Sequence, residues 1–144
     1  MPEAASWSPG FAFFPPPGSP DGEHLWGVFS EPLDGEVLIA NVTTLRRHSD
    51  RSGILQAGEH PRIRHESCMR YADSKVVAVE QLRLLRGLTV VEPFSEALVR
   101  RVVEGALRSE ESPSRVKALL RALAARRDQG RGGLAREAAA PPYA

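Results

Sequence analysis

Along the first two-thirds of the chain, apolar residues come in short runs broken by proline, glycine and charge. Over the last third they recur at helical spacing. Phe11-Ala12-Phe13-Phe14, behind Gly10, predicts a first strand. Pro15 to Glu23 holds four prolines and two glycines, which remove donors and loosen the chain, so it predicts a long surface loop. His24 to Ser30 predicts a second strand, and Glu31-Pro-Leu-Asp-Gly35 a hairpin with Asp-Gly at its tip. Glu36 to Thr44 is nearly continuously apolar until its two terminal hydroxyls, which predicts a strand buried on both faces. After a polar turn at 49–53, Ile54 to Gln56 predicts a short strand. Ser74 to Val79 predicts another, its β-branched valines suiting a pleated surface. A short helix is expected over Val79 to Arg86 and a last strand over Leu88 to Val91.

Two helices close the pattern. Ser95 is placed to cap the first, with Glu96 at the positive end of its dipole. Leu98, Val102 and Ala106, with Val99, Val103 and Leu107 beside them, form its apolar stripe. Ser112-Pro113 opens the second, whose stripe is Val116, Leu119, Leu120 and Leu123. The expected fold is mainly β with C-terminal helices, arranged as a small, partly open β-barrel. Its expected boundaries are a flexible N-terminus over 1–9, a single domain over 10–127, and a disordered tail over 128–144.

A chain of 144 residues with 42% hydrophobic content suits one compact domain. Its net charge of +1 excludes a uniformly basic nucleic-acid coat, so any such site must be a local patch. A single cysteine excludes an internal disulfide and fits a reducing compartment. The N-terminus lacks the basic and apolar regions of a signal peptide, and no run is long enough to span a membrane. The expected location is the cytoplasm.

Chemistry concentrates in Glu59 to Tyr71, where two of the four histidines, three arginines, two carboxylates and the lone Cys68 fall within thirteen residues. Histidine carries protons near neutral pH, and arginine forks match phosphate oxygens. In an extended segment Arg62 and Arg64 share one face while Ile63 points to the core, and His60 joins the arginines if the strand runs back through Pro61. His65 then lies on the other face and reads more readily as a structural histidine. The block does not predict a metal site, because its spacing matches no usual zinc finger. Cys68 reads as a small buried residue, His48 as a solvated loop residue, and His24 as a strand cap. Tyr71 suits either the core or a base-stacking platform.

In order and spacing, the chain resembles the MazF/PemK family of toxin endoribonucleases. The resemblance rests on Gly10-Phe-Ala-Phe-Phe14, His24-Leu-Trp-Gly-Val-Phe-Ser30 and Val37-Leu-Ile-Ala-Asn-Val-Thr-Thr44. It continues in Ser74-Lys-Val-Val-Ala-Val-Glu-Gln-Leu-Arg83 and in the helix from Phe94 to Leu107, so it spans roughly 10–109. It implies an SH3-like barrel, usually a homodimer, that cleaves single-stranded RNA without a metal or other cofactor and pairs with a small acidic antitoxin protein. By motif Thr43 falls on the family's functional threonine, and His24 stands where the family has an arginine. The Glu59 to Tyr71 block resembles a PemK-like branch. The expected catalytic residues are therefore His60, Thr43 and His24. Arg62, Arg64, Arg46, Arg47, His65 and Tyr71 are expected to bind RNA. Two other readings stand beside this one: a non-catalytic module on the same barrel that holds RNA or a protein partner, and a mobile-element accessory protein with protein contacts only.

Overall fold

The computed structural model describes residues 7–20 and 22–139. Seven strands are present: β1 (Ala12–Phe14), β2 (Leu25–Val28), β3 (Glu36–Thr44), β4 (Ile54–Leu55), β5 (Ser67–Met69), β6 (Lys75–Ala78) and β7 (Thr89–Val91). Three helices accompany them: α1 (Val79–Arg83), α2 (Glu96–Arg108) and α3 (Ser114–Ala139). All seven strands join one antiparallel sheet in the order β4-β5-β3-β2-β1-β7, with β6 pairing to β3 off that path. The sheet does not close on itself and is followed by helices, as the alternation of strand-like runs and a helical third predicts.

β3 is the axis of this sheet because it is long enough to serve three partners. One edge pairs with β2, from Leu25↔Val42 to Val28↔Ile39. The other pairs with β6 over Glu36 to Ile39, then with β5 over Val42 to Thr44. Both faces of β3 are covered, so Val37 to Val42 are all buried. Leu38, Ala40 and Val42 enter the larger core with Tyr71, Phe94 and the inner faces of α2 and α3. Val37 and Ile39 enter a second core with Trp7, Phe13, Trp26, Val79 and Leu82. The hairpin before β3 turns at Asp34 (φ 51°) and Gly35 (φ 76°), the pair of left-handed residues a tight two-residue hairpin requires.

Phe94, where the chain enters α2, ties the layers together. Its amide donates to the Gly10 carbonyl (2.8 Å) and its ring meets Phe29 at 5.2 Å between centroids. Gly10 has φ 97°, and a Cβ there would stand 2.8 Å from the Phe94 carbonyl oxygen, so both conformation and space call for glycine. Ser95 caps α2 as expected, its Oγ accepting from the Leu98 amide (3.1 Å). Among the described residues no helix is long and apolar enough to cross a membrane.

Both expected loose ends are corrected where they are described. Trp7 is only 1% exposed and packs against Phe11 and Phe13, because an aromatic side chain completes the second core. Residues 1–6 and 140–144 lie outside the described residues, as does position 21 of the expected 15–23 loop. The stretch from 128 to Ala139, expected as a disordered tail, continues α3. The 59–71 block is also not one irregular segment, since its end forms β5 and Tyr71 begins a 3-10 turn over Tyr71–Asp73.

Burial of Trp7 makes a direct prediction. Trp7→Ala should cost about 3 kcal/mol or more, read as a lower urea midpoint with an unchanged slope, whereas a flexible N-terminus would leave the midpoint in place.

Candidate functional site

The expected centre of chemistry, His60, is a core residue. It is 2% exposed, and its ring lies 4.8 Å from the Phe94 ring. Its Nδ1 accepts from the Arg62 amide (3.0 Å), which leaves the proton on Nε2 to be donated to the Glu92 carbonyl. Both ring nitrogens are committed to backbone, so His60 has none to offer a substrate. The expectation that His60 is catalytic is corrected on this ground: Pro61 turns the chain and sends the imidazole inward.

The rest of the block is pinned by the same logic. Glu59 pairs with Arg101 of α2, which also donates to the Ile54 carbonyl (3.0 Å). The Arg101 hydrogen bond holds the Glu59 carboxyl below its ordinary range against the opposing effect of burial. Ile63 enters the core at 4% exposure, as its place between two arginines predicts. Arg62 and Arg64 are exposed, with Arg62 3.8 Å from the Glu92 carboxylate. Tyr71 is 1% exposed, and its hydroxyl donates to the Val102 carbonyl (2.7 Å). Burial pushes that phenol well above its ordinary range. The expectation that Tyr71 binds RNA is therefore corrected: it cannot stack on a base.

Accessible chemistry gathers instead at the C-terminal end of β3. A cleft of about 270 Å³ is lined there by Thr43, Thr44, Arg46, His48, Ser49, Asp50, Cys68, Met69, Arg70 and Glu111. Thr43 lies across from Cys68 in the β3–β5 ladder. The β2–β3 ladder ends at Leu25↔Val42, and the half-buried His24 stands in the bend just before it. Cross-strand partners share a face, so Thr43 and Cys68 form one row, with Trp26 and Asn41 in the next. Thr44 points to the opposite face, where its Oγ1 lies 2.8 Å from Nε2 of the exposed His65. Of the four histidines, His48 lines the cleft with Thr43 and Thr44, His65 bonds to Thr44 on the other face, His24 stands in the bend before β2, and His60 is in the core.

Charge in the cleft is mixed. Arg46 and Arg70 supply the cations, and the Arg70 Nε is 3.4 Å from the Asp73 carboxylate. Asp50 and Glu111 bring carboxylates to the same cleft. Burial acts to raise the Asp50 pKa, but bonds from the Ser109 hydroxyl and the Ser52 amide outweigh it and hold the group below its ordinary range. Asp50 is therefore a fixed negative charge that also moors the β3–β4 loop to the end of α2. Burial pushes the Cys68 thiol up, which leaves it a poor nucleophile. Among the described residues no three His, Cys, Asp or Glu side chains are grouped so as to hold a metal ion.

Of the expected site residues, Thr43 and Arg46 line the cleft, His65 bonds to Thr44, and His24 stands in the bend before β2, outside the cleft lining. Arg47 is exposed but does not line the cleft, and neither do Arg62 and Arg64. His48 and Arg70 were missed. No local signal marked them: Arg70 is placed by the pairing of Ser67–Met69 with β3, and His48 by the loop that follows β3.

A structural His60 predicts that His60→Ala lowers stability by about 2–4 kcal/mol, because it opens a cavity against Phe94 and orphans two backbone groups. Thermal or urea unfolding of the variant checks this; an unchanged midpoint would contradict it. No family model, curated protein or solved structure matches the chain.

Proposed function

We propose that the protein is a toxin-type endoribonuclease that cleaves single-stranded RNA by metal-independent acid–base chemistry in the cleft at the end of β3. The observation that supports this reading most is the cleft that holds Thr43, Thr44 and His48 with Arg46 and Arg70, beside the Thr44–His65 hydrogen bond. Cleavage of this kind needs a base for the 2′-hydroxyl, an acid for the leaving 5′-oxygen and cations for the phosphorane charge. The 2′-oxygen attacks phosphorus, the bond from phosphorus to the 5′-oxygen breaks, and a 2′,3′-cyclic phosphate and a 5′-hydroxyl result. His48, in the cleft wall, and His24, in the bend before β2, are assigned the two proton transfers. Arg46 and Arg70 are assigned the phosphate oxygens, and Thr43 a hydrogen bond to the same group. His65 holds Thr44 at the rim. This reading carries a homodimer, a cytoplasmic setting and a small acidic antitoxin partner.

A second reading, a non-catalytic module that binds RNA or a protein, draws on one observation. Asp50 and Glu111 place two carboxylates in the cleft with the cations, and these weaken its pull on phosphate.

The readings part in one assay. The purified protein in EDTA should convert single-stranded RNA to fragments ending in 2′,3′-cyclic phosphate. His48→Ala, at an exposed position, should slow this by about 10²-fold or more without moving the melting temperature. Salt-sensitive binding with intact RNA across varied sequences would sink the enzyme reading and leave the second.

A further inference from the structure

Charge is not spread evenly over this nearly neutral chain. The 26 residues of α3 hold seven basic and two acidic residues, a net +5, so the other 118 residues carry −4. At about 1.5 Å per residue the helix is roughly 39 Å long. Its first turns pack on the body, where Val116, Leu119, Leu120 and Leu123 are buried. From Ala124 to Gly130 every residue is exposed. An amphipathic helix thus becomes exposed on all sides over this stretch, which a helix serving the core alone does not need. Arg115 is tied to Glu36, and Arg127 stands 3.9 Å from Glu31. Arg121 and Arg126 make no ion pair among the described residues.

We infer that the exposed side of α3 from Arg121 outward is a basic arm that binds a nucleic-acid phosphate backbone outside the β3 cleft. Its composition fits that partner better than an acidic protein. From Ala124 to Gly130 the arm exposes alanine as its only apolar side chain, whereas a protein interface is built around large aromatic or aliphatic anchors. Phosphate contacts need cations and little apolar area. The arm is also remote from the cleft. Glu111, just before α3, is part of the cleft wall, and Arg126 lies roughly 20 Å further along the helix axis. A strand must then be long to reach both places. The arm would extend the RNA reading proposed above, and its test separates from that reading because it measures binding to a strand lacking the 2′-hydroxyl.

The experiment uses the full chain and its Arg121→Gln/Arg126→Gln double variant, with single-stranded oligodeoxynucleotides of 40 and 8 nucleotides. Affinity is measured between 50 and 200 mM salt. With two phosphate contacts removed, the slope of log affinity against log salt for the 40-mer should fall by about 1.4. The 40-mer should also bind several-fold more weakly at the lowest salt, with 8-mer binding and the melting temperature unchanged. An unaltered slope for the 40-mer would overturn the arm, as would equal weakening for both lengths or retention of only an acidic polypeptide such as polyglutamate. If the arm behaves as expected while RNA stays intact in the cleavage assay, the catalytic reading fails and the arm stands.

Discussion

The contact on which the site most depends is that of His60 with the Glu92 carbonyl and the Phe94 ring. Phe94 also bonds to the Gly10 carbonyl and packs on Phe29, so this one junction joins β1, β2, β7 and the start of α2. His60 adds the long connection from β4 to β5 to that junction, using both ring nitrogens. A buried imidazole is tolerated because each nitrogen has a backbone partner; unpaired, either would cost about 1–3 kcal/mol. Glu59 on Arg101 and Ile63 in the core fix the connection at two further points. With these anchors set, the chain returns to β3 with His65 beside Thr44 and Arg70 beside Asn41.

From there the chemistry of the site follows from register. β3 brings Thr43 and Thr44 to the sheet's end, and β5 brings Cys68 across from Thr43 with Arg70 behind it. The β3–β4 loop contributes Arg46, His48 and Asp50, and it is moored by the bond from Ser109 to Asp50. The helices do not approach the end of β3 with catalytic groups of their own. Their part is to clamp the loop and cover the larger core, while α3 carries seven of the 19 Lys and Arg residues.

Much of the fold was legible in the chain. β3 declared itself by continuous apolar residues, the preceding hairpin by Asp34-Gly35, and α2 by Ser95 and its stripe. β5 was not legible, because Ser67-Cys68-Met69 is short and becomes a strand only by pairing with β3 and β4. The site was half legible. Thr43 and His24 were named through a resemblance; Thr43 lines the cleft and His24 stands in the bend before β2. The densest cluster of reactive types misled, because local spacing does not say whether a histidine after a loop turns in or out. His60 turned in on a backbone carbonyl more than thirty residues away, while His48, exposed in its loop as expected, also lines the cleft.

The central claim is that His24, His48 and His65 form the working set and His60 does not. Imidazole resonances of ¹⁵N-labelled protein, followed while a non-cleavable single-stranded oligodeoxynucleotide is added, test it most directly. The account predicts shifts at His24, His48 and His65, with His60 held in its Nε2-protonated form throughout. A ligand response at His60, with the other three silent, would contradict it.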